Sequence, residues 1–209
     1  MTELPIFSPV EARVLGVLIE KEKTVPDSYP LSLNALTMGC NQKSSRDPVM
    51  SVQEGEVLAA IDSLKAHALI VESSGSRVLR YAHNAKRAFR LPDQSIALLA
   101  VLMLRGPQTA GELRNNCDRL HAFGDISSVE AFLEEMSSAD TPWVVRLPKL
   151  PGSREHRWAH LLSGAVEASA EMPSDRGDEI AALRADVDRL TEEVARLAAI
   201  ADRLQNRPG

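Results

Sequence analysis

The sequence predicts a mainly α protein with small β-hairpin wings: tandem winged helix-turn-helix domains followed by a C-terminal coiled-coil helix. Three observations predict it. First, Gly75-Ser76-Arg77-Val78-Leu79-Arg80-Tyr81-Ala82-His83 recurs as Gly152-Ser153-Arg154-Glu155-His156-Arg157-Trp158-Ala159-His160, an offset of 77 residues. Second, each copy follows three helical patterns with two extended runs, the winged-helix order. Third, a heptad pattern closes the chain. The expected boundaries are 1–90 and 91–162 for the two winged-helix domains, 163–178 for a flexible linker and 179–206 for the coiled-coil helix.

The elements follow in order. Ser8-Pro9-Val10-Glu11 reads as a capping box with proline in the first helical position. Val10, Val14, Val17 and Leu18 then recur at helical spacing. A short second helix is expected from Leu31 to Cys40. A third is expected from Ser51, with Ser51 and Glu54 as its capping box and Val57, Ile61 and Leu64 as its buried stripe. Extended runs at Leu69–Glu72 and Val78–Ala82 flank the turn Ser73-Ser74-Gly75-Ser76. The second copy repeats this with helices at 93–105, 108–118 and 127–138, the last boxed by Ser127 and Glu130, and strands at 143–147 and 155–161. At the offset of 77, Leu36 meets Leu113 and Cys40 meets Cys117. The first helices align at an offset of 84, and the third at 75, which pairs Val57, Leu58 and Ile61 with Phe132, Leu133 and Met136.

The last quarter differs in texture. Residues 163–178 are rich in small, polar and acidic residues with little to bury. Beyond them, Ile180, Leu183, Val187, Leu190, Val194, Leu197, Ala201 and Leu204 alternate in spacings of three and four. A two-in-seven stripe is narrower than a globular helix shows, so homodimerisation through a parallel coiled coil is favoured over a helix folded back on its own domain.

Composition narrows the function classes. The chain has 209 residues, 24 basic and 29 acidic, with net charge -5. Residues 1–90 are net +1, residues 91–163 net -2 and residues 164–209 net -4. This balance argues against uniform coating of DNA by positive charge. The longest strictly apolar run, Ile96–Leu104, has nine residues, against the roughly 20 needed to span a bilayer. The N-terminus shows no secretory pattern. A cytoplasmic setting and no membrane partner are therefore expected. Two cysteines are too few for a disulfide framework or a four-ligand zinc site. They fall late in each second helix, as matched core residues would. No nucleophile elbow, P-loop or dinucleotide fingerprint is present. The expectation is a non-enzyme with no metal and no cofactor.

Two stretches carry candidate nucleic-acid contacts. Asn41, Gln42, Lys43, Ser44, Ser45 and Arg46 place six donors in a row between the second and third helices. Such a loop suits phosphate or carboxylate contacts. The competing reading is structural: Asn41 caps its helix, and Arg46 with Asp47 fixes the turn before Pro48. The first wing and its sequel supply Arg77, Arg80, Lys86 and Arg87, with Arg90 beyond, and no acid intervenes from Ser73 to Pro92. A basic wing can contact a DNA backbone. Against this, the third helix is the one that normally enters the major groove. Here residues 51–66 hold Glu54, Glu56 and Asp62 against Lys65 alone, and residues 127–138 hold Glu130, Glu134 and Glu135 with no base.

The segments Glu11–Gly16, Leu18–Glu22, Tyr29–Leu36 and Asn41–Met50, above all the string N-Q-K-S-S-R-D-P-V-M, resemble the YceH-like family. The resemblance is strongest over residues 8–90 and looser to about 161. It implies bacterial proteins of unknown function with tandem winged-helix folds, and it carries over no functional residue. Gly39 stands where a small residue such as alanine is expected. Two functions are thus in view. One is a regulator that binds double-stranded DNA through the first winged helix, placed slightly ahead on fold analogy. The other is an adaptor that uses its winged helices to dock another protein, as in subunits associated with bacterial condensins.

Overall fold

The structure is a computed structural model. It describes residues 5–73, 78–149, 152–153, 155–165 and Arg189. The chain divides into two compact units, Met1–Ala168 and Ser169–Gly209. Most of the expected linker, the heptad seam from Ile180 to Leu204, and Arg77 lie outside the described residues.

The first unit is mainly helical, with small antiparallel hairpins. Its first half runs α1 (Pro9–Thr24), a 3-10 turn (Pro26–Ser28), β1 (Leu31–Ser32), α2 (Leu33–Cys40), α3 (Glu54–Ala66), β2 (Ile70–Ser73), β3 (Arg80–His83) and α4 (Ala85–Phe89). Its second half runs α5 (Asp93–Arg105), β4 (Gln108–Thr109), α6 (Ala110–Cys117), α7 (Ile126–Ser137), β5 (Val144–Arg146) and β6 (Arg157–His160). Each half closes with a three-stranded sheet, ordered β1-β3-β2 and β4-β6-β5.

The internal repeat is visible in the strand register. Leu31 pairs with Tyr81 and Ser32 with Arg80, while Gln108 pairs with Trp158 and Thr109 with Arg157. All four positions move by the same 77 residues. Leu36 and Leu113 are fully buried, and Cys40 and Cys117 end α2 and α6. Burial pushes both thiols up to about 12, so they remain protonated core groups.

The two halves share one core, because α1 and α5 pack on each other. Every residue from Ala12 to Ile19 in α1 is buried, as is every residue from Ser95 to Leu104 in α5. A helix buried all round is sandwiched, and these two are held between their own half and the other. Gly16 allows the close approach: a Cβ there would lie 3.0 Å from Leu104 Cγ. The chain's entry is tied to its exit by Phe7 N–H donating to the Leu162 carbonyl at 2.6 Å.

Local signals explain most boundaries. Ser8 and Glu11 form the expected box, with Pro9 opening α1. Ser32 caps α2, and Thr109 with Glu112 boxes α6. Two caps differ from expectation. Helix α3 starts at Glu54 with a Gln53/Glu56 box, not at Ser51. Ser51 and Val52 instead belong to the preceding loop, where Asn41 fixes the Val52 backbone. Helix α7 is capped by Asp125 accepting from Ser128 N–H, not by Ser127. The pairing of third helices also shifts by one turn. Val57, Ile61 and Leu64 are buried where Val129, Leu133 and Met136 are, while Leu58 is exposed. An apolar stripe looks the same three residues along, so periodicity alone misplaces it. Helix α4 was not expected. Ala85 and Phe89 anchor it four residues apart, and Phe89 meets Trp143 at a centroid distance of 4.8 Å.

Candidate interaction surfaces

The loop between α2 and α3 is largely turned inward. Arg46 has a side chain with no solvent exposure. Its guanidinium forks onto Glu20 at 3.1 and 2.7 Å, and its Nε donates to the Gly39 carbonyl. Burial alone would raise the Glu20 carboxyl, but the Arg46 pair outweighs it and holds the group below its ordinary value. From α1, Arg13 is 1% exposed and donates to the carbonyls of Cys40 and Pro48 at 3.0 and 2.6 Å. Asn41 clamps the Val52 backbone with two bonds of 2.8 Å. Ser45, at positive φ, accepts from Arg105, and Asp47 N–H donates to the Leu104 carbonyl.

This arrangement turns most of the loop's polar groups inward. Arg46 is enclosed and paired, so it does not face a phosphate; Asn41 and Ser45 are engaged by backbone and Arg105. Gln42 is half-buried, accepting from Lys21 and donating to Ser44. Lys43 and Ser44 are the exposed remainder. The loop is a latch: it closes over α1 and bonds to the end of α5, joining the two halves. The sequence held the structural alternative for Arg46 but no sign of its partner, since Glu20 lies 26 positions away.

The wing candidates divide. Arg80 is exposed, yet its guanidinium donates to the carbonyls of Pro30 and Ser28 and so fixes the entry to β1. Lys86 and Arg87 lie on the outer face of α4. They border a cleft of about 800 Å³, together with Arg90, Lys23 at the end of α1, and Asp93 at the start of α5. Lys86 pairs with Asp93 at 3.0 Å. His83 lines the same cleft, with its Nε2 3.3 Å from Glu22. Burial lowers the His83 pKa and Glu22 partly opposes the shift. Its Nδ1 accepts from Ala85 N–H, which leaves the Nε2 proton facing Glu22. The structure thus brings Lys86 and Arg87 together with Lys23, Glu22, His83 and Asp93. The i, i+4 pair Ala85/Phe89 was the available sequence signal for this face.

The third helices face solvent with acids. On α3, Glu54, Glu56, Leu58, Ala59 and Asp62 are exposed, and Lys65 is drawn to Glu72 at 2.5 Å. On α7, Glu130, Ala131, Glu134 and Glu135 are exposed. Beside α3, the β2–β3 hairpin exposes Val71, Val78 and Leu79 at 53%, 55% and 50%. Among the described residues no group of three or more His, Cys, Asp or Glu is placed to hold a metal ion. No helix among them is long and apolar enough to cross a membrane.

A duplicated, mainly helical protein with an internal latch, a cationic cleft and two acidic helix faces is the class these features define. The chain belongs to the family described as "Protein of unknown function, DUF480", which matches residues 7–153. Among its relatives, the UPF0502 protein Bcep1808_3727 of Burkholderia vietnamiensis is 56% identical over 211 residues, covering 97% of this chain and 89% of that protein. The UPF0502 protein H16_B1091 of Cupriavidus necator is 56% identical over 212 residues, covering 97% and 87%. This membership is consistent with the YceH-like resemblance carried by Glu11 to Met50.

Proposed function

We propose that the protein is a non-enzymatic adaptor: tandem winged helices, followed by a dimerising coiled-coil helix, that use their third helices to dock a protein partner. The observation that carries this reading is the charge of the two helix faces that a winged helix presents to its target. Both expose carboxylates, and neither exposes an uncommitted base. Against a DNA groove these groups would meet phosphates of the same sign. Against a protein they suit a partner with basic residues, and exposed Leu58, Val71, Val78 and Leu79 supply apolar contact area. The internal bonds of Asn41 and Arg46 leave that loop with fewer free donors for a DNA backbone, which supports the protein-docking reading.

Titration with random-sequence duplex DNA at low salt tests the choice. The wild-type chain should bind negligibly. The triple variant Glu54→Lys, Glu56→Lys, Asp62→Lys should gain salt-dependent binding, because charge alone then permits phosphate contact. Wild-type binding with a steep salt dependence, weakened by neutralising Lys43, would overturn the adaptor reading.

A further inference from the structure

We propose that the cleft between α1, α4 and the start of α5 binds a small organic anion, with a phosphate or carboxylate head on its cationic rim and an apolar body on its floor. The proposal is independent of the acidic helix faces, which take no part in it.

The floor is apolar: Ile19, Leu91, Ile96, Ala97 and Leu120. The rim is cationic: Lys23, Lys86, Arg87 and Arg90, against the acids Glu22 and Asp93. The acids already have partners. Glu22 lies 3.3 Å from Lys23 and 3.3 Å from His83, and Asp93 lies 3.0 Å from Lys86. Arg87 and Arg90 are exposed, and no hydrogen bond or ion pair holds either within the described structure. Two guanidinium forks on one rim match the oxygens of a phosphate or carboxylate, which a single lysine does only as a point charge. The volume of about 800 Å³ lies within the ordinary range for small-molecule sites.

The sequence builds this deliberately shaped wall from few residues. Ala85 and Phe89 fix α4 to the core, so Lys86 and Arg87 must face out. Arg90 ends the helix at φ 56°, in the left-handed region that rarely suits a side-chain-bearing residue. The left-handed turn brings a third cation onto the face shared with Lys86 and Arg87. His83 forms the inner wall, with a side chain only 7% exposed and Nε2 reaching no hydrogen-bond geometry. The second half carries no counterpart: the position equivalent to Lys86 at the repeat offset is Ser163.

The test is titration of the isotopically labelled full chain, followed by amide NMR, with three probes: octyl phosphate below its micelle concentration, octanoate, and inorganic phosphate. Octyl phosphate and octanoate separate the two head groups, and inorganic phosphate removes the apolar body. The expected result is saturable shifts confined to residues 19–23, 83–97 and the neighbourhood of Leu120, with at least one amphiphilic anion binding about tenfold or more tighter than inorganic phosphate. Arg87→Gln with Arg90→Gln should weaken that binding about tenfold or more, while Lys43→Gln leaves it unchanged. Both arginines are exposed, so the variants should keep the wild-type melting curve. Shifts scattered over the surface, or binding indifferent to the double variant, would overturn the proposal.

Discussion

The two halves of the first unit share a frame and differ in what fills it. In the first half, α1 carries Arg13 and Glu20, and thirteen residues separate α2 from α3. In the second half the equivalent positions are Ala97 and Leu104, and eight residues separate α6 from α7. One half therefore closes its helix connection with a buried ionic latch, the other with apolar packing and a short link. The second half adopts the same frame without these charges. They order the longer loop, and that loop in turn bonds to Arg105 and Leu104 of the other half. A buried pair of this kind is weak evidence for added stability but a strong constraint on geometry.

Removing one member of the latch should have the largest effect. Arg46→Ala strips Glu20 of its guanidinium fork, leaving it Lys21 alone at 3.2 Å, and is expected to cost about 3 kcal/mol in urea unfolding. Glu20→Leu with Arg46→Met copies the second half's choice and should cost much less than either single change, because no uncompensated charge remains. A double variant as unstable as Arg46→Ala would break the comparison.

A second contrast lies in His83 and His160, repeat mates that end β3 and β6. His83 faces Glu22, whereas the position equivalent to Glu22 is Gly106, and His160 Nδ1 is buried without a partner. Burial lowers the His160 pKa to about 4 from 6.5. The unfolded chain therefore takes up this proton first as pH falls. The histidine's effect on stability is complete above about pH 6.5 and is progressively lost down to about pH 4, by on the order of 3 kcal/mol. Thermal unfolding between pH 7 and 4 should show this slope, and His160→Gln should flatten part of it. An unchanged slope would remove His160 as the cause.

The smallest expected effect concerns Gly39, whose repeat mate is Asn116. A Cβ at position 39 would lie 2.7 Å from Val17 Cγ1. Helix propensity favours alanine there by about 1 kcal/mol, but overpacking costs about 1–3 kcal/mol. Gly39→Ala should therefore lower the melting temperature modestly, and by less in a Val17→Ala background, where the obstructing methyl is gone.

Much of the fold was legible because its signals are local. Capping boxes at Ser8/Glu11 and proline at position 9 act within one turn, and the wing motif repeats nearly intact. The third-helix boundaries are less legible, because Ser51 and Ser127 offer plausible caps that the loop and Asp125 displace. The candidate surface was less legible. Donor-rich composition at Asn41–Arg46 resembles a phosphate loop whether its side chains face in or out. Their direction depends on Glu20 and Arg105, far along the chain. The acidic third helices, by contrast, were readable directly, because periodicity fixes which residues face solvent.

The docking of a protein by the acidic α3 face can be read out in the cell. It is tested most directly by placing a photo-crosslinking amino acid at Ala59 of the full chain in its native host. The expected result is a discrete protein adduct that disappears when Glu56→Lys and Asp62→Lys are introduced. An adduct with DNA, or a protein adduct indifferent to that charge reversal, would contradict it.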